Sequence, residues 1–185
     1  KTGLRVFGGT SNGVVEGDIY IRMEGSANVE TRLVGGSNSG LVYGNIELDL
    51  ISGSAFRVDA AGLGWRNEWM EGDKHVVDYQ PARIDGDVLV NLYTSFKLGT
   101  GAEEDYKSGI YGGMETTNHV VLTENCFSRL HFAESGEYEL GYIDSDGLAT
   151  TDSHYVTGFG RFELEDDAHV VLSLGYFDVD MDPAK

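Results

Sequence analysis

The sequence is short of cysteine, proline and positive charge, and each shortage narrows what the protein can be. Cys126 is the single cysteine among 185 residues, so no disulfide can form within the chain. Only 13 residues are basic, whereas 31 are acidic, and the net charge is −18. A field of this sign repels phosphate groups, so nucleic acid is not an expected partner.

Helical patterns and long apolar runs are also missing. No window combines apolar residues at helical spacing with a capping residue in front. No run approaches the roughly 20 apolar residues of a transmembrane helix. Two prolines, 26 glycines, ten tyrosines and eight phenylalanines instead describe strands joined by glycine-rich turns. A membrane crossing by strands of about ten alternating residues stays open.

Alternation of apolar with polar or small residues is the main positive signal. Every second residue from 168 to 176 is apolar, and similar alternation recurs in residues 19–23, 42–50 and 88–98. This is the period of a strand, in which successive side chains point to opposite faces. The sequence therefore predicts strands along most of the chain, and residues 19–23 and 29–33, joined by the turn "EGSAN", are predicted to form one hairpin.

The connections between these strands fall into two length classes. Residues 51–54, 123–125 and 165–167 are short turns, while "RNEWMEGDK", "GTGAEEDYK" and "DSDGLATTDS" are longer and polar. Short turns on one side and long loops on the other are typical of up-and-down barrels. We therefore predict an all-β fold, an antiparallel up-and-down β-barrel of about 8 to 12 strands. The single domain covers residues 1–185, and we expect no repeat at a solenoid period.

The alternation does not say which face of the strands meets solvent. The apolar face includes Gly44, Ala60 and Gly158, and this loose filling favours contact with lipid over a packed core. The opposite face carries charges of both signs, which can pair across strands inside a narrow lumen. The predicted lumen and selectivity residues are Arg22, Glu24, Arg32, Glu47, Asp49, Arg57 and Asp59.

Several segments resemble the repeating hairpin of Gram-negative outer-membrane β-barrel proteins. They are "YVTGFGRFELEDDAHVVLSLGYFDVD", "HVVLTENCFSRLHF" and "VYGNIELDLISGSAFRVDAAGLGW". The resemblance implies a porin-like passive diffusion channel, or a structural membrane barrel, in the bacterial outer membrane. It implies contact with membrane lipid and lipopolysaccharide, and small ions or solutes as cargo. The acidic excess predicts a preference for cations, and a homo-oligomer is left open.

Motifs for catalysis or metal binding are not found in the sequence. "DSDG" at residues 144–147 begins like a calcium loop, but the loop's fifth position is Leu148 and its twelfth is not Glu. The five histidines lack metal-ligand spacing. We therefore expect no enzyme, no catalytic residue, no metal and no cofactor.

Two alternatives of other classes stay open. One is a soluble or secreted β-barrel or sandwich that binds a small apolar ligand or a partner. The other is a secreted or cell-surface assembly or adhesion protein whose edge strands pair with neighbours.

Overall fold

The fold is seen in a computed structural model, which describes residues 5–99, 108–113, 120–123, 126–140, 142–143, 149–150, 155–165, 168–173 and 176–177. These residues form strands and turns. No helix among them is long and apolar enough to span a membrane. In chain order the strands are β1 (Arg5–Phe7), β2 (Val14–Val15), β3 (Ile19–Met23), β4 (Asn28–Val34), β5 (Leu41–Val42), β6 (Ile46–Asp59), β7 (Trp65–Glu71), β8 (Lys74–Gln80), β9 (Ala82–Ile84), β10 (Val88–Leu98), β11 (Gly109–Tyr111), β12 (Val120–Leu122), β13 (Ser128–Phe132), β14 (Gly136–Glu139), β15 (Tyr142–Ile143), β16 (Ala149–Thr150), β17 (Tyr155–Thr157), β18 (Arg161–Leu164), β19 (Val170–Ser173) and β20 (Tyr176–Phe177).

Successive turns of the chain stack on one another through parallel strands. β3 pairs with the first half of β6, which pairs with the first half of β10, and β13 and β18 follow. Equivalent places in these five strands are held by Ile21, Leu48, Val90, Leu130 and Phe162. Because each partner strand lies one turn of the chain further on, the described residues form a parallel β-solenoid, and each turn is one rung.

Three columns of strands are called the sides of this solenoid. Side 1 contains β1, the ends of β4 and β6, and then β11, β17 and β20. Side 2 contains β2, β5, β9 and β12. Side 3 contains β3, the starts of β6 and β10, and then β13 and β18. A further column lies between side 3 and side 1 and is formed by Asn28–Val29 and the later parts of β6 and β10, with β14 and β19 beyond them.

Side chains that point inward from the three sides meet in one apolar core. Each side contributes residues with no solvent exposure, which excludes a water-filled interior at these rungs. Examples are Val58 and Ile110 from side 1, Val42 and Ile84 from side 2, and Leu48, Leu50, Val90 and Leu92 from side 3.

A tight turn with the sequence Gly-Asp or Gly-Asn leads into side 3 in each of the first three rungs. Asp18 Oδ1 accepts a hydrogen bond from the Asn45 backbone N–H at 2.7 Å, and Asn45 Oδ1 accepts one from Asp87 at 2.9 Å. Asp87 Oδ1 in turn accepts from the Phe127 N–H at 3.0 Å. Each side chain therefore satisfies a backbone donor of the next rung and helps to set the register.

The first two rungs are also a sequence repeat. "GGTSNGVVEGDIYIRM" at residues 8–23 aligns without a gap with "GGSNSGLVYGNIELDL" at residues 35–50. The offset is the 27 residues that separate Asp18 from its hydrogen-bond partner Asn45. Between later rungs the same turn is spaced by 42 and 40 residues. The expectation that no solenoid repeat is present is therefore wrong.

Part of the added length is visible as an antiparallel hairpin inserted beside side 1. β7 and β8 pair from Trp65↔Gln80 to Glu71↔Lys74, between side 1 and side 2 of the third rung. β15 and β16 form a second, shorter hairpin before β17. Much of the segment "RNEWMEGDK", predicted as a polar loop, is therefore strand.

The predicted antiparallel up-and-down β-barrel is wrong. The main sheet is parallel throughout, and no closed barrel is present in the described ranges. β3 and β4, predicted as one hairpin, each pair with β6 instead. The turn predicted at residues 51–54 lies inside β6, where Gly53 has a φ of 91°. An alternation with period two is common to parallel and antiparallel strands, so it could not choose the partner.

The direction assigned to the apolar face is wrong as well. Val170 and Leu172 were expected to face lipid, but both pack against the core cluster, as do the alternating apolar residues of β3. The small residues that suggested loose packing include Gly44 and Ala60, which lie where neighbouring rungs approach closely.

Gly44→Ala tests this close stacking. A Cβ on Gly44 would overlap the carbonyl group of Gly17 and lie 2.5 Å from the Asp18 nitrogen. Because the overlap is with backbone, we expect the free energy of unfolding to fall by about 2 to 3 kcal/mol. Gly17→Ala is the matched control, since its Cβ would meet no atom within 4 Å. Urea denaturation measures both variants, and equal effects would contradict the stacking.

Candidate functional site

The seven residues predicted to line a lumen lie in two separate groups outside the core. Arg22, Glu47 and Asp49 project from side 3, and Glu24 follows β3 at the next corner. The remaining three lie on side 1. Apolar side chains fill the space between the sides, so the seven do not share a lumen in the part of the chain that the structure describes.

The side 1 group is compact and mostly buried. Arg57 binds Asp59 with its Nε at 2.8 Å and its Nη2 at 2.6 Å, and its guanidinium lies 3.8 Å from the centroid of the Tyr111 ring. Arg32 occupies the register position beside Arg57, and both Arg32 and Asp59 are buried. The ion pair lies within β6, whereas the stacking on Tyr111 joins β6 to the next rung, so we assign the group a structural role.

The outward side chains of side 3 form what we call the polar face. Rungs of a β-sheet are about 4.8 Å apart, so side chains at equivalent positions contact one another from rung to rung. The polar face consists of Tyr20, Arg22, Glu47, Asp49, Leu89, Asn91, Arg129, His131, Arg161 and Glu163.

Asn91 is the centre of the polar face. Its Nδ2 donates to Glu47 Oε1 at 3.1 Å and to Asp49 Oδ1 at 2.8 Å. Ionised carboxylates only accept, so the amide must direct both N–H groups at them and its oxygen the other way. That oxygen lies 2.9 Å from His131 Nδ1, which is therefore the donor in this contact.

The network continues to both ends of side 3. The Tyr20 hydroxyl donates to Asp49 Oδ2 at 2.5 Å, in the first rung. At the other end, His131 Nε2 lies 3.2 Å from Glu165 Oε1, just after β18. Since Nδ1 already donates, the contact with Glu165 is an ion pair only when the imidazole is protonated. One chain of polar contacts thus crosses five rungs.

Most acidic groups at or beside the polar face have a basic partner. Glu24 Oε2 lies 2.8 Å from Arg22 Nη2. Asp87 and Glu163 lie 3.6 and 3.7 Å from the guanidinium of Arg129, and Arg161 lies 3.6 Å from Glu163. These pairs balance charge at the first, fourth and fifth rungs.

Glu47 and Asp49 are the exception. Their hydrogen-bond donors are the neutral Asn91 amide and Tyr20 hydroxyl, and neither carboxylate has an ion pair within the described ranges. Arg22 occupies the register position beside Asp49, yet its guanidinium pairs with Glu24. Because neither carboxylate has a cationic partner among the described residues, the negative charge of the face is concentrated at this pair.

Three central members of this network were not among the residues predicted from the sequence. Tyr20, Asn91 and His131 lie in different rungs and are 71 and 40 residues apart in sequence. The repeated Gly-Asp/Asn turn was the available signal, because it aligns the strands that follow it. The structure thereby joins these three residues to Glu47 and Asp49 of the predicted set.

Two further observations concern metal binding. No group of three or more His, Cys, Asp or Glu residues is arranged to hold a metal ion in the part of the chain described. The "DSDG" segment at residues 144–147 lies outside the described residues.

The titration of Tyr20 tests the polar network. The hydrogen bond to the Asp49 carboxylate raises the pKa of Tyr20 above the ordinary 10.0, partial burial and the Asp49 charge act in the same direction, and Arg22 opposes them. The stabilisation from this bond is therefore present below about pH 10 and is lost as the pH rises through the raised pKa. We expect the Tyr20 ring-carbon NMR signal to titrate above pH 10 in the wild type.

Asp49→Asn should return the Tyr20 midpoint toward pH 10.0, because the charged acceptor is lost. Glu47→Gln is the control, since Glu47 does not bond the hydroxyl. If neither substitution changes the titration midpoint of Tyr20, the Tyr20–Asp49 hydrogen bond is absent in solution.

Comparison of the chain with protein-family models, with curated proteins and with solved structures finds no match. The geometry and the charges of the polar face are therefore the features that bear on function.

Proposed function

We propose that this chain is a non-catalytic binding scaffold of the cell-surface or secreted class, in which the stacked β-solenoid presents the polar face to a partner. The observation that supports it is the chain of oriented contacts from Tyr20 through Asn91 to Glu165. Holding side chains in one orientation costs conformational entropy, and exposed pairs return little stability. Pre-oriented donors and acceptors lower the cost of binding, which accounts for such a face.

Because the interior is packed, we propose a ligand that binds on the outside of the solenoid. Leu48, Leu50 and Leu92 have no solvent exposure and fill the centre of the solenoid. A small apolar ligand inside the fold, one of the alternatives from the sequence, would have to displace such side chains. The polar face is by contrast partly open to solvent.

We do not propose the diffusion channel that the sequence suggested. A channel needs a lumen that the charged residues line, and here those residues lie outside an apolar core. The outer-membrane location and the contacts with lipid and lipopolysaccharide were inferred from the same barrel. They stay predictions from the sequence.

Behaviour without detergent separates the scaffold from the channel. We expect the protein to stay monodisperse in detergent-free buffer during analytical ultracentrifugation, because most large apolar side chains of the described residues are enclosed in the core. We also expect no conductance steps when it is added to planar bilayers. Aggregation that detergent reverses, together with cation-selective steps, would contradict the scaffold and support the channel.

A further inference from the structure

We infer that the polar face docks a basic polypeptide, with a lysine or arginine side chain of the partner seated between Glu47 and Asp49. The inference rests on the proposed scaffold function and names the partner's chemistry. Both carboxylates are held in place by neutral donors and have no ion pair among the described residues. A guanidinium or ammonium group supplies the charge that this part of the face lacks.

The residues beside this pair also suit an organic cation. Tyr20 is 57% exposed and donates its hydroxyl proton to Asp49, so its ring stands at the edge of the pair. An aromatic face next to carboxylates attracts lysine and arginine side chains by cation–π contact. Leu89 lies beside Glu47 in register and is partly exposed, which offers an apolar contact for the stem of a long basic side chain.

The shape and charge of the protein favour a polypeptide over a small ligand or a metal ion. The polar face extends over five strands of a sheet, and sites for small ligands are usually concave. The net charge of −18 attracts a polycation over long range and speeds its association. A metal ion is disfavoured because no group of three or more His, Cys, Asp or Glu residues is arranged for one in the described ranges.

Isothermal calorimetry with a synthetic peptide of about eight residues that alternates lysine and threonine tests the inference. The variant pairs Glu47→Gln with Asp49→Asn, which keeps the shape of both side chains and removes two charges. The matched control pairs Glu71→Gln with Asp73→Asn at the exposed tip of the β7–β8 hairpin, and it removes the same two charges. Circular dichroism and thermal melting establish that both proteins fold.

We expect the polar-face variant to bind the peptide about tenfold or more weakly than the wild type, because a charge-assisted contact is lost. The hairpin control should bind within about threefold of the wild type, since it changes only the long-range field. Equal losses in the two variants would overturn the inference, because they would show that the peptide senses net charge alone.

NMR titration of the unmodified protein locates the contact independently of the variants. The lysine peptide should shift the backbone amide signals of residues 20–22, 47–49 and 91 before any others. Shifts elsewhere would overturn the inference, as would binding of Ca²⁺ or of an oligomer of glucosamine in place of the peptide. If the peptide fails to bind a protein that is monodisperse and silent in bilayers, the docking inference fails and the scaffold function stands.

Discussion

Parallel hydrogen bonding between consecutive turns of the chain is the constraint on which the rest of the structure depends. Once Ile19–Met23 pairs in register with the start of β6, each inward residue has a neighbour of the same kind one rung away. Apolar residues then form continuous inner columns and polar residues continuous outer ones. The core and the polar face are two consequences of one register.

That register depends on turns as well as on strands. The side chains of Asp18, Asn45 and Asp87 each bond the backbone of the following rung, and the glycines before Asn45 and Asp87 let the rungs approach. Insertions such as the β7–β8 hairpin begin where side 1 ends, and they do not disturb the stacked turns at Asp18, Asn45 and Asp87. Variation in rung length is therefore accommodated at the two corners beside side 1, while side 3 keeps its alignment and its chain of contacts.

Part of this organisation could be predicted from the sequence, and part could not. The alternation in residues 19–23 and 88–98 corresponds to strands, because period two follows from the geometry of any strand. The partner of each strand does not follow from that period, so β3 and β4 were paired with each other instead of with β6. The 27-residue repeat in the first two rungs carries this information, since an in-register stack repeats its turn in every rung. Asn91 and His131 reach the polar face only because the rungs stack, so no local sequence pattern could predict them as members of it.

The parallel register of the first two rungs can be tested by disulfide formation in two variants, each of which carries two introduced cysteines. Both variants carry Cys126→Ala and Arg22→Cys, with the second cysteine at position 49 in one variant and at position 30 in the other. Adjacent residues of paired strands lie within disulfide range, and Arg22 is paired with Asp49 in the solenoid. A hairpin of β3 with β4 would instead place Arg22 opposite Glu30. We expect rapid oxidation of the 22–49 pair and little oxidation of the 22–30 pair, and the reverse result would show that β3 and β4 form a hairpin.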